Sequence, residues 1–140
     1  MTAALKIISK YKTAIKDNYS ILYNANKGVK AQVFEDIAEI SGIDRNTLAE
    51  RIFDVSYKTV KRYLKESKNF NARNSELSLK LLHMFRKGIG VFGNKESFIS
   101  WINKPAYGIG DIVPIEIINT TTGIDLIEEE LIRIEFGATA

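Results

Sequence analysis

Three groups of residues in this chain have types and spacings that could do chemistry. Lys58, Lys61, Arg62 and Lys65 are cations at helical spacing, suited to phosphates. Gly88-Ile89-Gly90-Val91-Phe92-Gly93 spells the G-x-G-x-x-G of dinucleotide sites, whose glycines let a pyrophosphate approach a helix N-terminus. Glu128-Glu129-Glu130 is an acidic run near the chain end. Catalysis has little material. His83 is the single histidine and there is no cysteine, so disulfides and thiolate metal sites are excluded and no base–nucleophile pair suggests itself. No catalytic residue, metal site or cofactor of the chain's own is expected.

The elements that must position these groups read as helices. The glycine fingerprint needs a strand before it and a helix after it. Instead it follows Leu77, Leu79, Leu81, Leu82, Met84 and Phe85, a wide apolar helical run from Ser75, and no βαβ alternation surrounds it. Its glycines are therefore expected to end that helix and to lead into an Asn94-capped helix over 95–103, stopped by Lys104-Pro105. Pro114 fits the first turn of a helix over 115–119 that ends near Thr120 to Gly123. A last helix is expected over 125–136, with the glutamates on a solvated face near its N-terminal half. Gly137 is expected to end it, with Ala138-Thr139-Ala140 expected as a short mobile tail.

The cationic group sits on a helix expected from Tyr57 to about Glu66 and capped by Ser56. At about 100° per residue the four cations fall within an arc of about 100°, with Val60, Tyr63 and Leu64 opposite. One face packs and the other meets phosphates, while the helix N-terminus meets base edges. Upstream, Val33, Phe34, Ile37, Ala38 and Ile40 mark a helix closed by Gly42, and Asp44 caps a short one through Thr47, Leu48 and Ile52. Helix, turn and basic helix outline a helix-turn-helix, in which Arg45 and Tyr57 join Lys58, Lys61, Arg62 and Lys65 as DNA-binding candidates. Leu48-Ala49-Glu50-Arg51-Ile52 followed by Val55-Ser56-x-x-Thr59-Val60-x-Arg62 resembles the Xre-like repressor motif. It departs in one place. The motif has a Gly four residues after its Ala and directly before its Val. Here Phe53 and then Asp54 stand there, so the turn is one residue longer and lacks its glycine.

Before this unit, residues 3–16 read as an amphipathic helix, and Tyr19 to Tyr23 as a β-prone or loop segment closed by Asn24 to Gly28. The division expected is a helix and linker over 1–28, which could serve as a dimerisation arm, a DNA-binding part over 29–74 and a second helical domain over 75–140. Ser67 to Asn74 is the connector. Charge divides with the parts. Residues 1–75 carry 14 Lys and Arg against 8 Asp and Glu, and residues 76–140 carry 6 against 9. A net +6 followed by −3 suits a polyanion for the first half and a different partner for the second. The N-terminus is too polar for a signal peptide and no apolar run spans a membrane, so a cytoplasmic protein is expected.

The second half holds, in order, Ser78-Leu79-Lys80-Leu81-Leu82, Val91-Phe92-Gly93, Trp101-x-x-x-Pro105, Gly110, Pro114-Ile115, Thr120-x-x-Gly123 and Leu131-x-Arg133-Ile134-Glu135-x-Gly137. In the order and spacing of this set it resembles the toxin-binding domain of the MbcA/ParS/Xre family of antitoxins, partners of RES-domain toxins. With the looser likeness of the helix-turn-helix, the resemblance covers about residues 30–137. Gly108-Ile109-Gly110 departs from the Leu-Gly-Gly common there. The resemblance implies an all-α antitoxin, an Xre-like DNA-binding part packed with a C-terminal toxin-binding domain. Such a protein neutralises a RES toxin, an ADP-ribosyltransferase-like consumer of NAD, by occluding its active site. It also binds its own operator DNA, as a homodimer. The toxin contact is expected at Arg133, Glu135, Phe136, Gly137, Ala138, Thr139 and Ala140. The alternative is a free-standing repressor whose C-terminal domain only dimerises.

Overall fold

The computed structural model describes residues 1–137, and among them the fold is all-α. Its axis is the longest helix, α6 (Ala72–Phe92). Against it pack α1 (Ala3–Ser9), α2 (Asn18–Lys27), α3 (Gln32–Ser41), α7 (Lys95–Ile102) and α8 (Thr121–Glu135). Between α3 and α6 lie the short α4 (Arg45–Thr47), which continues as a π turn over Leu48–Ile52, and α5 (Tyr57–Lys65). Two 3-10 turns, Tyr107–Ile109 and Pro114–Ile117, connect α7 to α8.

Caps set most boundaries. Asp44, Ser56, Asn94 and Thr120 each accept a bond from a backbone N–H three residues on, satisfying a donor the helix leaves free. Gly42 closes α3 at φ +71, the left-handed conformation a glycine adopts without a Cβ clash. A single hydrophobic cluster takes buried residues from Ala4 to Leu131. Its aromatic members fall into two sets. Phe53 packs edge-on against Phe34 and tilts onto Phe70. Phe98 meets Phe85 edge-on at 5.3 Å and stacks with Phe92 and Trp101.

Several segments differ from their sequence expectations. Tyr19 to Tyr23 is neither strand nor loop; it lies in α2, capped by Asp17. Only Ile21 and Ala25 of α2 are buried, while Tyr19, Leu22 and Tyr23 face outwards. The first helix stops at Ser9, and Lys10 to Asp17 winds back so that Ile15 is buried and Tyr11 reaches Asp36. Helix α6 starts at Ala72, because Asn71 accepts from Asn74 N–H at 2.9 Å and so serves as the cap. Pro114 opens a 3-10 turn in place of a helix through 119. The last helix begins four residues early, at Thr121. Gly123 lies inside it, and a Cβ there would collide with the Ile117 carbonyl. The acidic run is not a solvated face. Only Glu129 is exposed; Glu128 meets His83, and Glu130 is 1% exposed.

The glycine fingerprint lies on helix, with no strand before it. Gly88 is in the body of α6, where a Cβ would land among the ring atoms of Phe98. Gly93 ends the helix at φ +89. The two are used for close packing and for a left-handed cap respectively.

Candidate functional site

The cationic face forms as its periodicity requires. Val60 is fully buried, Tyr63 and Leu64 are half-buried, and Lys58, Lys61, Arg62 and Lys65 are exposed. Lys58, Lys61 and Lys65 have no carboxylate within 4.0 Å among the described residues. Arg62 stands 4.0 Å from Glu66 and over the Tyr63 ring, and Lys61 lies over the Tyr57 ring. Charges left without an acidic neighbour on one helix face keep a positive potential outside the protein.

The other two candidates of this set, exposed Arg45 and half-buried Tyr57, are tied to a carboxylate. Arg45 Nε donates to Glu35 at 2.6 Å, and the Tyr57 hydroxyl donates to the other oxygen of Glu35 at 3.0 Å. Tyr57 also stacks on Phe34. Desolvation, then the bond to Glu35, raises the Tyr57 hydroxyl above the ordinary tyrosine range; Glu35 likewise raises Arg45. This Glu35 cluster ties α3, α4 and α5 together and so holds the angle at which α5 is presented. Arg45 and Tyr57 place the helix as well as bordering its surface.

The longer turn before α5 has a specific construction. Phe53 N–H reaches Leu48 O at 3.0 Å and Val55 N–H reaches Ala49 O at 3.0 Å, wider closures than an α-helix makes. One extra residue is thus absorbed in a π turn. Phe53 drops into the core and Asp54 takes φ +56, a left-handed conformation that Asp tolerates better than most residues. The turn does not need its missing glycine to deliver α5 to the surface.

At the other candidate surface, α6 and α8 are joined in order by Lys80 to Asp125, His83 to Glu128 and Lys87 to Glu135, the last at 2.6 Å. Arg133 Nε donates to buried Glu130 at 2.8 Å, and its Nη2 donates to Gly108 O at 3.4 Å. A Cβ at Gly108 would stand where the Glu130 carboxylate lies, so glycine leaves that carboxylate its place. Burying a carboxylate is costly unless it is paired, and Arg133 supplies the pair. Arg133 and Glu135 therefore have internal partners, whereas Phe136 is 82% exposed and Gly137 turns the chain at φ +96. Ala138, Thr139 and Ala140 lie outside the described residues. Sequence reading missed two exposed apolar neighbours. Ile132 is one turn before Phe136 on α8, and Tyr107 rides on the 3-10 turn that Arg133 holds. The i, i+4 spacing of Ile132 and Phe136 was the available signal for the first.

Among the described residues no three His, Cys, Asp or Glu are grouped to hold a metal, and no helix is long and apolar enough to cross a membrane. Residues 88–137 match the family model described as the antitoxin Xre/MbcA/ParS C-terminal toxin-binding domain. No curated protein matches the chain. The matched segment runs from the last turn and a half of α6 through α8, which supports the antitoxin family and implies a toxin as partner.

Proposed function

We propose that this chain is the antitoxin of a type II toxin–antitoxin pair, with two surfaces serving two partners. The end of α8, with Arg133, Glu135, Phe136, Gly137 and the following Ala138, Thr139 and Ala140, binds a RES-domain toxin and occludes its active site. The observation that carries this reading is the match of residues 88–137 to a toxin-binding domain. NAD is then the toxin's substrate and not a cofactor of this chain. The large exposed side chain of Phe136 supports a protein partner at this end, since aromatic anchors dominate such interfaces.

Helices α3 to α5 form a helix-turn-helix that binds operator double-stranded DNA, and the chain represses its own operon. Support comes from the cationic face of α5, its fixed angle through Glu35, and the basic balance of the first half. Two half-sites call for a homodimer. The outward stripe of Tyr19, Leu22 and Tyr23 on α2 is the surface that suits it, consistent with an arm formed by residues 1–28. In this reading 29–74 is the DNA-binding part and 75–140 the toxin-binding one, working in the cytoplasm without catalysis of its own.

Co-expression with the RES-domain protein encoded beside this chain tests the reading. Restored growth and a co-purifying complex are expected. Growth arrest that this chain does not relieve, together with no complex, rejects it in favour of a free-standing repressor.

A further inference from the structure

Of the three glycines in the 88–93 fingerprint, Gly90 is unexplained by the fold. Gly88 admits the Phe98 ring and Gly93 takes a left-handed cap, but Gly90 is exposed and helical and a Cβ there would meet nothing within 4 Å. Glycine is among the least favourable residues inside a helix, so its presence costs stability with no internal return. What the missing side chain does provide is space. Gly90 lines a depression of about 280 Å³ together with His83, Arg86, Lys87 and Glu135, between α6 and α8. The walls are held by the pairs His83 to Glu128 and Lys87 to Glu135. Arg86 donates to Ile15 O at 3.4 Å and has no carboxylate within 4.0 Å among the described residues, leaving a half-buried guanidinium with donors to spare. Glu135 belongs both to this groove and to the α8 end, where Ile132 and Phe136 are exposed.

We propose that the α6–α8 groove at Gly90 is a docking site for a main-chain segment of the toxin. The backbone passes where a side chain at position 90 would stand, and a carboxylate or carbonyl oxygen of the toxin takes the free donors of Arg86. The interface thus reaches back beyond the matched segment to His83, Arg86 and Lys87. This rests on the antitoxin reading above.

The test uses the full chain, the RES-domain protein encoded beside it, and Gly90→Leu. Leucine favours helix and meets open space, so the thermal midpoint is expected to hold or rise while toxin affinity falls by about thirtyfold. In the wild-type complex, amide hydrogen exchange at residues 83–90 is expected to slow together with that of residues 132–136. Full affinity of a folded Gly90→Leu chain overturns the groove assignment. So does unchanged exchange over 83–90 in a complex that protects 132–136. Absence of any wild-type complex overturns the antitoxin reading itself, and the groove with it.

Discussion

Two alanine substitutions one helical half-turn apart should move stability in opposite directions. At Gly88 a Cβ would enter the ring of Phe98, among carbons that need about 3.5 Å of separation. The ring cannot retreat freely, because it is fully buried between Phe85, Phe92 and Trp101. Overpacking of this kind costs about 1–3 kcal/mol, and a rigid cage puts Gly88→Ala near the upper value. Alanine recovers about 1 kcal/mol of helix propensity, which leaves a net loss of about 2 kcal/mol. At Gly90 the same propensity gain of about 1 kcal/mol stands alone, since a Cβ meets nothing. For a chain of this length each kcal/mol moves the melting temperature by about 3–5 °C. Thermal unfolding followed by circular dichroism should place Gly88→Ala about 6–10 °C below the wild type and Gly90→Ala about 3–5 °C above it. A Gly88→Ala chain at or above the wild-type midpoint would refute the reasoning, as would two variants that shift the same way.

Lys61→Ala with Arg62→Ala should weaken operator binding and flatten its logarithmic salt dependence by about two units, one for each lost phosphate contact; gel shifts with an unchanged slope would remove α5 from the groove. Tyr11→Phe strips a donor from buried Asp36 and should cost about 1–2 kcal/mol at neutral pH in denaturant titrations. Burial, and then Asp36, raises the Tyr11 hydroxyl above its ordinary value of 10.0, so its contribution is complete below pH 10 and lost as pH climbs beyond it. The wild type should therefore lose more stability than Tyr11→Phe between pH 9 and 11, and equal losses would contradict the assignment. Arg133→Ala leaves Glu130 buried without its partner and should cost about 1–3 kcal/mol, with Glu130→Gln recovering part of it; additive effects in that double-mutant cycle would deny the pair. Asp54→Gly relieves a left-handed residue and should stabilise by up to about 1 kcal/mol, whereas a clear loss would mean the Asp54 side chain earns its place in the turn.

Local signals in the sequence were enough for much of this molecule. Gly42, Asp44, Ser56 and Asn94 mark helix ends through sterics and bonds that act within a single turn, and the structure places each where its chemistry requires. The cationic face of α5 follows from periodicity, which survives packing because burial needs one continuous apolar stripe. The all-α class, which the resemblance implies, holds among the described residues. The resemblance of the second half also reads directly from its residues, and the match over 88–137 supports it. Other features depend on segments far apart in the chain. The start of α2 reads as a β-prone or loop segment because its larger apolar residues face solvent and its buried face is only Ile21 and Ala25. Gly123 looked like a stop, yet it is a helix interior made glycine by the Ile117 carbonyl. The acidic run looked solvated until Gly108 left room for one carboxylate and Arg133 paired it. The fingerprint glycines keep the same letters whether they cradle phosphate, admit an aromatic ring or leave a groove open. A glycine's use is set by what comes within a few ångströms of it, and only the tertiary structure brings that neighbour there.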